Sequence, residues 1–235
     1  MTNCVADISL RKAAIVSGSA ILLMTIAYVV AADLTVGSLI VPDDAIATAD
    51  KIQNSSLLFR AGIFSLFVVL ISDLLAAWGL YLFLKPVNES LSLLSAWFRI
   101  VYAAMLGAAI LNYVEITTLI NNTNTEALAP DQLWHLLHAF DDAWSIGLMV
   151  FGFHILLLGY LVYGSGYAPK WLGILLIISF GGYLLINATH LLFPDHENLK
   201  SILDWSFILP MIIGEVGLGI WLLIRGGKIN GNKLT

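Results

Sequence analysis

This sequence has little charge and one cysteine, and each shortage rules something out. Only 11% of its 235 residues are Asp, Glu, Lys or Arg, too few to cover the surface of a soluble domain of this length. Cys4 stands alone, so no disulfide closes within the chain and no thiolate cluster can gather a metal. The 11 Lys and Arg form no basic patch interleaved with aromatics, which leaves nucleic-acid binding without support. No glycine-rich dinucleotide fingerprint, Walker loop or Ser-His-Asp order marks a strand-to-helix turn. An internal repeat is also missing, and with it the inverted symmetry of many secondary transporters.

What the chain has instead is apolar sequence in long blocks. Hydrophobic residues make up 59% of it and its mean hydropathy is +0.89, so its main solvent is lipid. Roughly 20 apolar residues at a 1.5 Å rise cross a hydrocarbon core. Six blocks meet that length: 13–32, 57–84, 91–116, 140–163, 171–193 and 203–224. Continuous blocks predict helices, because lipid offers an open backbone no partner and a barrel would show alternating short strands. The expected fold is all-α, a bundle of six transmembrane helices forming one membrane domain over residues 1–235.

Positive charge retained on the cytoplasmic side orients such a bundle. Arg11, Lys12, Lys85, Lys170, Arg225, Lys228 and Lys233 fall on one side of alternating spans, against Lys51 and Lys200 on the other. Both termini are expected in the cytoplasm, and the membrane is expected to be a bacterial inner membrane. Asp33, Asp43, Asp44, Asp50, Glu126, Asp131, Asp195 and Glu197 all map outside, so the net charge of -5 reflects topology. The first block follows Arg11 and Lys12 as a signal peptide would, but it exceeds the roughly 7 to 15 residues of such an apolar region and is expected to stay as a span. The inner connections 85–90 and 164–170 are tight turns holding Pro86 and Pro169, whereas the outer ones, 41–56 and 121–131, are longer and polar.

Four ionisable residues lie deep in these spans: Asp73, Arg99, His154 and Glu215. A charge at the bilayer centre costs at least about 2.5 to 3.5 kcal/mol, so it faces a partner or a water-filled cavity. Counted from the inner end of each span, they sit about 8 to 11 residues in, roughly 12 to 17 Å, and share one layer. Arg99 is permanently charged, and a bidentate pair with Asp73 or Glu215 is the cheapest way to bury it. The remaining acid could share the Arg, stay protonated, or pair with His154 as imidazolium. The alternative is that the layer only locks helices together. Pro210 and the glycines Gly214, Gly217 and Gly219 flank the acid; they either open the helix towards a cavity or allow close packing.

A second set, Arg60, Glu115, Asp141, Asp142 and His190, lies near the outer boundary beside Trp134, Trp144 and Trp205, where charges and aromatic anchors are cheap. His135, His138 and Asp142 share one face if their segment is helical, which gives half a metal site that His196, Asp141 or Glu115 would have to complete. Two histidines on a wet helix are more often plain polar surface. His154 and His190 differ by about 11 residues in depth, roughly 15 Å, too far to ligate one haem iron.

The order of motifs resembles a bacterial membrane family catalogued as domain of unknown function 4386. The likeness rests on LFRAGIFSLFVVLISDLLAAWGLYLFLKPVN with Arg60 and Asp73, on AWFRIVYAA with Arg99, on FGFHILLLGYLVYGSGYAPKWLGILL with His154 and Pro169, and on LPMIIGEVGLGIWLLIRGG with Glu215 and Trp221. It covers most of the chain from Leu57 onward. It implies a multi-span membrane protein and brings no activity, cofactor or site residue with it.

Three functions compete. A small-molecule or proton site at Asp73, Arg99, His154 and Glu215, serving transport or sensing, predicts a hydrated cavity. An accessory subunit would use the same layer only to specify helix pairing inside a larger membrane assembly. An intramembrane lipid hydrolase would need Asp73, Glu215 and His154 as acid, base or metal ligands, and a single deep histidine is a poor start for one. The bilayer is the partner the composition requires; a small molecule, a lipid or a membrane protein are the further partners these functions imply, and no cofactor is specified.

Overall fold

A computed structural model describes residues 8–42, 44–121, 130–193 and 196–226, together with all their side chains except those of Asn121 and Glu197. Of the residues named above, Cys4, Asp43, Glu126, Asp195, Lys228 and Lys233 lie outside it. The described elements are α1 (Leu10–Val29), a π-helical turn (Val30–Thr35), α2 (Val36–Leu39), α3 (Ala45–Asn54), α4 (Ser56–Leu84), α5 (Glu89–Asn121), α6 (Pro130–Gly164), α7 (Lys170–Leu192) and α8 (Glu197–Ile224). Six helical stretches are long and apolar enough to cross a membrane, the first running from α1 through α2.

Each spanning helix packs on the next in sequence, and α8 returns to pack on α1, so the six close into a ring. Arg11 fastens that closure. Its Nη1 donates to the carbonyls of Leu222 and Gly226 at 3.2 and 2.7 Å, and Nη2 to that of Leu223 at 2.7 Å. These carbonyls lie at the C-terminal end of α8, where a cation meets the negative end of the helix dipole. A turn further in, Gly18 and Gly219 let the two backbones touch: a Cβ on Gly18 would lie 2.7 Å from the carbonyl oxygen of Gly219. Without a hydrophobic force between helices in lipid, such close approach of small residues is what holds the seam.

The elements differ from the sequence expectation at several ends: α5 runs five residues past its expected block, α8 starts six residues ahead of its own, and three further differences have a visible cause. The polar connection 41–56 contains α3, a helix capped by Asp44, whose carboxylate accepts from the backbone N–H of Ala47 at 2.8 Å. Helix α3 buries Thr48 and Ile52 while its other faces stay wet, too short an apolar stripe to stand out in a hydropathy reading. Helix α6 begins at Pro130, ten residues ahead of the expected block, because Leu133 and Leu137 bury one face of a polar helical extension. The first span runs past Ala32 through the π turn, where Thr35 Oγ1 donates to the carbonyls of Val30 and Ala31 at 2.8 and 3.1 Å. Beyond that turn Thr35 and Val36 pack against Gly62 of α4. A π turn shifts the helix face that follows it, and here it leans the outer end of the first span onto α4.

Candidate functional site

Inside the ring lies a cavity of ≈ 630 Å³ to which all six spans contribute. That is within the roughly 300 to 1,000 Å³ of small-molecule sites. Its walls repeat at helical spacing: Met24 and Tyr28 on α1, Val69 and Asp73 on α4, Trp144, Leu148 and Phe151 on α6, Tyr183 and Asn187 on α7. Helix α8 supplies Asp204, Ile208, Met211, Ile212 and Glu215 from a single face.

Arg99, Asp73 and His154 meet where the sequence places them. All three are about 1% exposed. Arg99 Nε donates to Asp73 Oδ1 at 2.9 Å, and Nη2 reaches the same oxygen at 2.7 Å. The pair is therefore not a fork on a fork: both donors converge on Oδ1, and Asp73 Oδ2 is buried with no hydrogen-bond partner. Nη1 lies 3.1 Å from His154 Nε2, Nη2 lies 3.0 Å from Met24 Sδ, and the guanidinium stands 5.2 Å from the centroid of the Phe151 ring. From α5, Arg99 thus holds α1, α4 and α6 together.

His154 is fixed by that contact. A guanidinium only donates, so Nε2 must accept, and the ring proton belongs on Nδ1, 2.9 Å from the carbonyl oxygen of Ser95. The histidine is a neutral spacer between α5 and α6, and it pairs with neither acid. Glu215 has a different partner altogether: the Tyr183 hydroxyl donates to Glu215 Oε1, bridging α7 to α8. Asp73 and Glu215 both line the cavity; Arg99 and His154 stand behind its wall. The glycines around Glu215 serve packing, with Gly214 against Leu176, Gly217 against Leu172 and Gly219 against Ile21. Helix α8 runs unbroken through Pro210.

At the outer boundary Arg60, Glu115, Asp141 and Asp142 are exposed. Asp142 stands 3.3 Å from His190 Nε2, so its neighbour is α7 and not the histidines of its own helix. His135 and His138 are exposed on α6, and among the described residues no three His, Cys, Asp or Glu side chains assemble into a metal-ligand group. Trp205 is largely exposed yet also borders the cavity, whereas Trp144 turns inward: it lines the cavity and meets Tyr28 edge-on at 5.4 Å.

Sequence reasoning missed Tyr183, Asn187 and Asp204. A tyrosine or asparagine inside a span has no charge to flag it, and Asp204 lies near enough to a helix end to pass for solvated surface. Tyr183 does sit in the depth layer of Glu215 when both spans are counted from their inner ends, about 13 and 9 residues in, and a search for polar partners at matched depth would find it.

Residues 16–226 match the family described as "Domain of unknown function (DUF4386)". The chain is also similar to an "Uncharacterized protein" of Archaeoglobus fulgidus, 32% identical over 170 residues, which cover 72% of this chain and 85% of that one. That relative is archaeal, so the likeness reaches beyond bacteria. No solved structure matches.

Proposed function

This chain belongs to the domain of unknown function family DUF4386, and from its cavity we propose that it binds a small ligand presenting hydrogen-bond donors or positive charge, for transport or sensing. The observation that carries this is Asp73 Oδ2, a carboxylate oxygen buried in the cavity wall without a donor. A buried acceptor left unsatisfied costs about 1 to 3 kcal/mol, more when charged, and a bound donor relieves that cost. Charge points the same way. Asp73, Glu215 and Asp204 line the cavity and no Lys or Arg does, so its wall offers an anion no cationic side chain. The aromatic walls, Tyr28, Tyr102, Trp144, Phe151 and Tyr183, add faces on which a cation can rest.

The orientation that goes with this reading has Arg11, Lys12, Lys85, Lys170 and Arg225 in the cytoplasm. The cavity then lies in the outer half of the bilayer, with Asp73 and Glu215 as its floor.

The test compares phenethylamine with phenylacetate, matched in size and opposite in charge, on the purified protein in nanodiscs by calorimetry. The amine is expected to bind and the acid not. Asp73→Asn and Glu215→Gln, each checked for native size-exclusion behaviour, are expected to weaken the amine at least tenfold. Equal binding of both compounds, no binding of the amine, or indifference to both substitutions would overturn the proposal.

A further inference from the structure

The cavity's boundary is not complete. Of the residues lining it, Tyr28 on α1 and Trp205, Ile208 and Ile212 on α8 are 44%, 79%, 44% and 52% exposed. A side chain that both walls a cavity and reaches the outside stands at its mouth, and these four belong to one seam, that between α1 and α8. The seam has two halves. Its inner half is closed by Arg11 and by the contact of Gly18 with Gly219. Glu215 lies one helical turn beyond Gly219, and from there outward the seam is lined by cavity residues on both helices. Past the π turn the first span packs against Gly62 of α4. The stretch from Glu215 to Asp204 is about 11 residues, roughly 16 Å of helix, and all of it lies within the span that faces hydrocarbon.

We infer that this slot opens sideways into the bilayer, and that the ligand is a single-chain amphiphile with an ammonium head, its head at Asp73 and Glu215 and its chain leaving between α1 and α8 into lipid. This rests on the cavity being a donor-binding site, as proposed above, and adds what the donor is attached to. Three observations bear on the tail and head. The lips are a tyrosine, a tryptophan and two isoleucines, which suit a hydrocarbon chain in contact with lipid. The floor carries two carboxyl groups, those of Asp73 and Glu215, towards which an ammonium is drawn. A phospholipid fits less well, because its phosphate would sit beside Asp73 and Glu215 with no Lys or Arg lining the cavity to meet it.

The experiment uses octadecylamine carrying a photoreactive diazirine at mid-chain, with the full-length protein in phosphatidylcholine nanodiscs, adducts being mapped by peptide mass spectrometry. Adducts are expected on Tyr28, Trp205, Ile208 and Ile212, reduced at least fivefold by saturating butylamine and by Asp73→Asn or Glu215→Gln. Ile208→Trp narrows the slot and is expected to lower the ratio of octadecylamine to butylamine affinity, both referred to concentration in the membrane, at least tenfold. Adducts spread evenly over lipid-facing residues such as Phe64, Trp97 and Tyr160 while butylamine still binds would overturn the slot and leave the donor site standing. Failure of butylamine and octadecylamine alike would overturn both. Displacement of the probe by phosphatidylethanolamine would overturn the preference for an amine without phosphate.

Discussion

The α1 and α8 helices meet twice, and the two meetings are unlike. At the inner end three carbonyls at the end of α8 lie under the Arg11 guanidinium, and two glycines bring backbone against backbone. At the outer end the same helices face each other across a cavity, with exposed Tyr28 on one lip and exposed Trp205 on the other. Between them lies the floor, where Arg99 joins four helices through Asp73, His154 and Met24. The difference teaches that stability and access are divided along the length of one seam. Below the floor the seam is held by the Arg11 hydrogen bonds and the glycine contact, and above it the lips are Tyr28, Trp205, Ile208 and Ile212.

Substitutions graded by position sharpen that division. Arg99→Ala at the floor should have the largest effect, because it leaves Asp73 as a buried charge without its partner; a loss of about 3 to 5 kcal/mol is expected, read from unfolding in mild detergent. Gly18→Val in the inner seam comes next. Its side chain would collide with the Gly219 carbonyl and Leu223, at a cost of about 1 to 3 kcal/mol, while Ile212→Leu in the outer seam should stay within about 0.5 kcal/mol. An equal loss at both positions would show that the two halves bear load alike. Arg11→Ala should cost about 1 kcal/mol, since its carbonyl contacts are half-wet and water can replace it. The smallest effect is expected outside the seam, at Lys85 and Glu89. The Glu89 carboxylate, 3.1 Å from the Lys85 ammonium, raises that lysine above its ordinary value by hydrogen bonding and by charge, yet both are exposed. Any stabilisation from this pair would be present below the ordinary lysine range and lost only as pH rises through the raised value. Glu89→Gln should leave the melting temperature at pH 7 unchanged.

The six spans were legible because a bilayer imposes a length that few other structures share, and the blocks from Leu57 to Leu84 and from Trp171 to Phe193 match their helices to within a residue or two. Surface helix α3 and the polar start of α6 were not, since each buries only two side chains per stretch and reads as loop by hydropathy. In the site, depth alone brought Asp73, Arg99 and His154 together correctly. Depth could not show which face of α8 Glu215 occupies, and a hydroxyl such as that of Tyr183 leaves no trace in a charge count. A hydrated cavity was expected only on the reading in which the layer binds a small molecule or a proton. The exposure of Tyr28, Trp205, Ile208 and Ile212 along the cavity's α1–α8 edge was not legible, because apolar residues in a span read alike whether they face a cavity or lipid.

The pairing of Asp73 with Arg99 also bears on how the chain enters the membrane. The two residues lie on consecutive helices, α4 and α5, joined by the short turn at Lys85–Asn88, where Asn88 Oδ1 caps the start of α5 by accepting from the N–H of Leu91 at 3.0 Å. Each charge alone would resist partition into lipid by about 2.5 to 3.5 kcal/mol. Delivered as a hairpin, the two arrive already neutralising one another, so α4 and α5 form a natural unit of insertion during synthesis. Helix α8, whose acid finds its tyrosine on α7, would join at the end and close the ring last.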